Sequence, residues 1–228
     1  MPRTKIALWG GPGLRFFISH SHVDKVTAAA LKEELESLGA HAFVAHEDIK
    51  PTSHWQDEML DALGSMHVLV ALLTKDFRKS KWTDQEVGYA ISSSVPVIPI
   101  RMDVSPYGFM SDVQALRGND SAGKWAKALV EYAFESDDLA SPCFRTILNA
   151  TKNCLNYKAA DVLLRDVLPM YRHWTPRRAR RFVRAYNESQ QVYDSVRYRG
   201  QGFLTALNDQ TNGQFSVSKD YKLKWSQP

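Results

Sequence analysis

Met66-His-Val-Leu-Val-Ala-Leu-Leu73 is apolar at nearly every position. A strand with one wet face would alternate, so this stretch reads as a strand buried on both faces. Such a strand needs a covering layer on each side, and the flanking sequence supplies amphipathic helices. Upstream, Asp24–Leu38 places Ala28, Leu31, Leu35 and Leu38 on one helical face, with Lys32, Glu33 and Glu36 turned away. Gly39 stands where a helix stops. Arg15–His20 and Ala42–Ala45 read as short strands. Thr52 or Ser53 caps a further helix to Leu63, with Trp55, Met59 and Leu63 at i, i+4 and i+8. Downstream, a helix over 80–92 precedes the strand Val95–Ile100, whose two prolines place it at an end or edge of its sheet. A short strand near Val113–Leu116 and a helix from Asp120 to Phe134 follow. This alternation with short links predicts an α/β fold, a parallel sheet with helices on both faces. Ligands of such folds lie beyond the carboxyl ends of the strands. Here those ends are Ser19-His20-Ser21, Ala45–Pro51, Thr74–Ser80 and Arg101–Tyr107.

Charge divides the chain. Residues 1–142 carry 14 Lys and Arg against 19 Asp and Glu, a net −5, whereas residues 143–228 carry 15 against 6, a net +9. The asymmetry marks two units, with the junction in the acidic, polar stretch Glu135–Pro142. The second unit, 143–228, reads as a small helical domain ending in a hairpin, a winged helix in outline without a specific motif for one. Its candidate helices are Phe144–Tyr157, Ala159–Trp174, one capped by Thr175 with Pro176 at its first position, and Val192–Asn208, interrupted by Gly200 and Gly202. Gly213–Val217 and Tyr221–Trp225 alternate as two strands. The helix after Thr175 has an apolar stripe of Ala179, Phe182, Val183 and Tyr186, with Arg177, Arg178, Arg180, Arg181 and Arg184 around it. Because the first unit is acidic, these arginines are expected to meet protein before nucleic acid. No apolar run approaches the ~20 residues of a spanning helix, and no secretory leader is visible. Cys143 and Cys154 have neither a CxxC nor a metal spacing. The expectation is a cytoplasmic protein with no membrane association.

At the strand ends no nucleophile triad, phosphate-cradling loop or metal cluster assembles. Gly10-Gly-Pro-Gly13 precedes a strand instead of joining strand to helix, and His20-x-His22 lacks a third ligand at a usable spacing. The informative stretch is Lys79-Ser-Lys-Trp-Thr-Asp-Gln-Glu-Val87, in which Trp82 and Glu86 share a helical face. One carboxylate beside an indole is poor equipment for two-carboxylate glycoside hydrolysis. It suits a substrate whose leaving group needs no proton, such as the N-glycosidic bond of NAD+. A carboxylate there stabilises charge developing at the anomeric carbon, and an aromatic wall stacks on the pyridinium. The same residues also spell a capping box, Thr83-x-x-Glu86, with Trp82 and Val87 as its hydrophobic staple. On that reading Glu86 only starts a helix.

Residues 14–135 resemble the Toll/interleukin-1 receptor (TIR) domain family, specifically its bacterial members. The matching residues are Phe17-Ile-Ser-His-Ser21 with Asp24, Ala42-Phe-Val-Ala-His-Glu-Asp-Ile49 before Trp55, Ser80-Lys-Trp-Thr-Asp-Gln-Glu86 with Gly88, and Val95-Pro-Val-Ile-Pro99. The resemblance implies a flavodoxin-like sheet and an enzyme that cleaves NAD+ to nicotinamide and ADP-ribose, or a cyclised or conjugated form, in antiphage defence. It places the catalytic glutamate on Glu86 and its tryptophan on Trp82. Substrate contacts fall on the opening strand, Phe17, Ser19, His20 and Ser21, and on Trp55 after the second strand. Two departures stand out: Thr83 replaces a frequent cysteine, and Ala45 replaces a frequent acidic residue, leaving His46 or Glu47 to reach the ribose from that loop. NAD+ is then substrate, with no cofactor and no metal. Self-association through TIR–TIR contacts and a downstream effector that responds to the nucleotide product are the implied partners. The alternatives are a non-catalytic adaptor working by docking, and a nucleic-acid sensor led by the basic unit.

Overall fold

A computed structural model describes residues 8–44 and 55–226. In it Val68–Leu73 is buried at all six positions and forms the central strand of a five-stranded sheet. In chain order the strands are β1 (Arg15–Ser19), β2 (His41–Val44), β3 (Val68–Leu73), β4 (Val97–Arg101) and β5 (Leu116–Arg117), arranged 2-1-3-4-5. Every pairing is parallel. The helices α1 (Lys25–Ser37), α2 (Trp55–Leu63), α3 (Thr83–Ser92) and α4 (Ala122–Glu135) alternate with the strands. This is the flavodoxin-like order, with right-handed crossovers expected for each strand–helix–strand step. Gly39 ends α1 with φ +83, a conformation that costs a residue with a Cβ.

The two prolines were expected to put β4 at an end or edge of the sheet, and instead β4 lies between β3 and β5. Hydrogen-bond direction explains why this is tolerated. The Pro96 carbonyl accepts from the Leu69 N–H at 2.9 Å, so alternate residues 96, 98 and 100 face β3. Pro99 therefore faces the other side, where β5 has two residues and pairs only with Ile100 and Arg101. No ladder bond is lost. The expected cap residues Thr52 and Ser53 lie outside the described residues.

The described chain falls into two compact units. One runs up to Glu36 and from Ala40 to Val130, the other comprises Ser37–Gly39 and Glu131 onward, so the division falls inside α4. In the second unit α5 (Ala140–Lys152) carries Pro142 in its first turn, where a missing N–H has no helical partner to lose. The junction stretch Glu135–Pro142 therefore runs into the first turn of a helix. The expected helix over 159–174 is shorter: α6 (Tyr157–Val162) passes into a π-helical turn at Leu163–Val167 and a 3-10 turn at Leu168–Met170. Pro169 cannot continue the α ladder there. Then come α7 (Pro176–Glu188), α8 (Gln190–Arg199), α9 (Phe203–Asp209) and an antiparallel hairpin, β6 (Phe215–Val217) with β7 (Leu223–Trp225). The Thr175 hydroxyl caps α7 by accepting from the Arg178 N–H at 3.2 Å. Aromatic rings fill this core: Trp174 meets Tyr171 edge-on at 5.2 Å and Phe215 at 5.4 Å. Among the described residues no helix is long and apolar enough to cross a membrane.

Candidate functional site at the switch point

From β1 the chain passes outward to β2, and from β3 it passes the other way to β4. The carboxyl ends of β1 and β3 therefore flank the point where strand order reverses, the usual ligand crevice of such a sheet. Ser19 ends β1 there. α3 begins near the same edge after a 3-10 turn at Phe77–Lys79, and brings Glu86 to it. The Ser19 hydroxyl donates to Glu86 Oε2 at 2.5 Å, and the carboxylate is 5% exposed. Burial pushes the Glu86 pKa from an ordinary 4.5 to about 7, while the Ser19 hydrogen bond favours the charged form and pulls the other way.

The capping box implied by Thr83-x-x-Glu86 does not form. Trp82, not Thr83, occupies the N-cap position, and the Thr83 hydroxyl donates instead to the Phe77 carbonyl at 2.7 Å. Glu86 is thereby released from its own helix end and turned toward β1. Its orientation rests on a series of hydrogen bonds that ties the loops together. Ser21 and Thr74 both donate to Asp24 Oδ2, the latter at 2.7 Å. The Phe77 N–H donates to Thr74 Oγ1 at 3.1 Å, and the Phe77 carbonyl receives Thr83. The network runs from the end of β1, past the end of β3, to the first residue of α3.

A cavity of about 450 Å³ opens between α2 and α3, within the range typical of small-ligand sites, about 300–1,000 Å³. Gln56, Asp57, Met59, Leu60 and Leu63 line it from α2, and Trp82, Gln85, Glu86 and Tyr89 from the α3 segment. Glu86 thus touches both Ser19 and the cavity. Trp82 is 41% exposed and Tyr89 36%, so each offers a ring to a visitor while staying anchored. Beside this site the Tyr107 hydroxyl donates to Asp84 Oδ1 at 2.8 Å under the Arg78 guanidinium, 5.2 Å from the ring, fixing the start of α3 from the other side. Burial, and then the Asp84 carboxylate, push the Tyr107 pKa upward.

Of the sequence candidates, Glu86, Ser19 and Trp82 are brought together. His20 and Ser21 are buried in the loop after β1, and His20 Nδ1 lies 2.7 Å from the Ser21 carbonyl, which it reaches as a donor. Phe17 is a core residue: it is fully buried and stacks on Phe43 at 5.5 Å. Trp55 opens α2, while His46 and the side chain of Trp55 lie outside the described residues. Sequence reasoning missed Tyr89, Gln85 and the α2 face. Tyr89 stands seven positions after Trp82 and three after Glu86, a spacing that already placed it on the same helical face. Met59 and Leu63 were read only as sharing a helical spacing with Trp55, and they wall the cavity. Among the described residues no cluster of His, Cys, Asp and Glu suits a metal ion.

Comparison with known proteins adds three findings. The family model described as TIR domain matches residues 16–132. No curated protein matches. Among solved structures, the TIR domain of the Toll-related receptor TRR-2 from Hydra magnipapillata aligns at 22% identity over 46% of this chain and 84% of that one, with a TM-score of 0.41.

Proposed function

The chain belongs to the TIR domain family, and from that premise we propose that it is an NAD+-cleaving member working through Glu86. The observation that carries this reading is the setting of one carboxylate. Glu86 is buried, turned away from its own helix end onto Ser19, and open to a cavity that Trp82 and Tyr89 also line. A helix-start glutamate has no need of such a place.

The chemistry follows from the charge. NAD+ carries a cationic pyridinium, and its C1′–N bond breaks with the electron pair leaving on nicotinamide as a neutral ring. Positive charge then develops at C1′. An ionised Glu86 stabilises that charge and accepts hydrogen bonds from the ribose hydroxyls. The arriving cation also favours the ionised carboxylate, offsetting part of the burial cost. Trp82 and Tyr89 offer faces for the pyridinium. Ser19 fixes the carboxylate before substrate arrives, so little reorganisation remains for the reaction. Attack on C1′ by water gives ADP-ribose, and attack by the adenine ring or another nucleophile gives a cyclic or conjugated product. Either product serves as a signal to an effector in an antiphage response.

The test is to incubate purified protein with NAD+ and resolve all products chromatographically. Wild type is expected to release nicotinamide, and Glu86→Gln to lose about 10²–10³ in rate, the usual loss for one preorganised electrostatic group. Equal turnover by the two proteins would remove Glu86 from the chemistry. No turnover by wild type under any assembly condition would favour the docking-adaptor alternative.

A further inference from the structure

The second unit holds a cavity of its own, about 240 Å³, between the start of α7, the segment after α9 and the hairpin. Trp174 and Trp225 line it together with Gln210, Asn212 and Gln214. None of its lining residues is charged. The volume falls below the ~300 Å³ lower end for drug-sized ligands, leaving room for one small ring system.

Two features single this cavity out. First, Trp174 Nε1 and Gln210 Oε1 are both buried and have no hydrogen-bond partner among the described residues. Gln210 Nε2 donates to the Pro169 carbonyl at 2.5 Å, which fixes Oε1 as an acceptor, while an indole N–H is only a donor. Unmet donors and acceptors in a protein interior call for a specific explanation. Both residues line the same cavity, while these two atoms themselves are closed to solvent. Second, the adjacent cations are held in place. Arg180 lies over the Trp225 ring at 5.5 Å, and Arg181 over Phe144 at 5.6 Å. Arg177 and Arg180 follow the lining residues Pro176 and Ala179 by one position on α7, and both are exposed. A guanidinium laid on an aromatic face keeps its N–H edge for an anion.

We propose that this cavity binds a nucleotide, with its base against the indoles and its phosphate on Arg180 and Arg177. A base presents donors and acceptors side by side on its edge and a face for stacking, which is how unpaired nucleic acid is recognised. A proline-rich peptide would use the tryptophans but has no use for the arginine row. The unit's excess of cations, 15 against 6 anions over residues 143–228, suits an anion as well as the acidic protein face expected from the sequence, and the two tryptophans beside Arg180 favour the nucleotide. The ligand is a free mononucleotide or the unpaired base of a single strand. The two share this chemistry.

The test uses the full-length protein. Fluorescence anisotropy measures binding of a labelled poly(A) single strand about 12 nucleotides long, with AMP, a duplex of the same length and a proline-rich peptide as competitors. Binding of the strand or of AMP is expected, weakening with salt. AMP competing as well as the strand would identify a mononucleotide site, and a much stronger strand a single-strand site. Trp225→Ala and Arg180→Gln are each expected to weaken binding about 10-fold or more. Arg180→Gln is an exposed change, and near-ultraviolet circular dichroism checks that both variants keep their aromatic core. Failure to bind either probe would overturn the proposal. So would binding that both folded variants leave unchanged, or displacement of the strand by the peptide but not by AMP.

Discussion

Burial to 5% exposure makes the ionised form of Glu86 costly, and the sign of that cost can be tested. The folded pKa, about 7, lies above the ordinary 4.5. Between those values the folded state binds more protons than the unfolded state, so stability falls as pH rises through this window. The full penalty, about 3 kcal/mol, is present above pH 7 and absent well below pH 4.5. Glu86→Gln should therefore stabilise the protein at pH 8 by up to about that amount and change little at pH 4, read from urea unfolding at each pH. A variant less stable than wild type at pH 8 would contradict the assigned burial cost. That a residue reduces stability while serving a reaction is a recognised trade-off. Ser19 supplies the second prediction at this scale. Its hydrogen bond favours the charged carboxylate, so Ser19→Ala should move the acidic limb of kcat/KM for NAD+ to higher pH. A simple loss of rate with an unmoved limb would make Ser19 a spectator of the titration.

At the scale of elements, the start of α3 decides where Glu86 points. Thr83 is buried and its hydroxyl closes on the Phe77 carbonyl at 2.7 Å. Thr83→Val keeps the shape but removes the donor and leaves that carbonyl unmet, a cost of about 1–3 kcal/mol. Thr83→Ser should recover most of it. Thermal unfolding measures the cost, and the kcat for NAD+ shows whether the register of α3 has shifted; equal stability of the Val and wild-type proteins would remove Thr83 from the anchor. The same residue shows what the sequence could and could not tell. The pattern Thr83-x-x-Glu86 was legible, but its meaning depended on helix phase. A start one residue earlier in the turn, with Trp82 at the N-cap, converts a capping pair into an anchor and a candidate site residue. The sheet was legible because Val68–Leu73 admits no alternating reading. The internal position of β4 was not, because a proline's cost depends on which neighbour its missing N–H would face. The break after Val162 was legible only through Pro169, whose missing N–H and ring cannot continue the α ladder, but not through anything that fixed where the π-helical turn would begin.

At the scale of the whole molecule, the proposed function turns on how the Glu86 cavity would be closed. Its lining includes Leu60 at 56% exposure, Trp82 at 41% and Tyr89 at 36%, three large hydrophobic side chains on the surface around one cavity. On the proposed reading, charge developing at C1′ is best stabilised where water is excluded, because a carboxylate acts more strongly at low dielectric. A second TIR unit laid over α2 and α3 would bury this apolar rim and remove water from the cavity in one step. NAD+ cleavage per molecule should then rise steeply with protein concentration, while dilute monomer stays nearly silent. Light scattering run alongside the assay would show activity following the assembled fraction. Replacing Leu60 by Asp, outside the Ser19–Glu86 pair, should lower activity and assembly together, and high concentration should restore part of both. If specific activity stayed flat across the concentration series while the protein remained monomeric, the cavity would already be complete within one chain. The exposed rim would then serve the substrate alone.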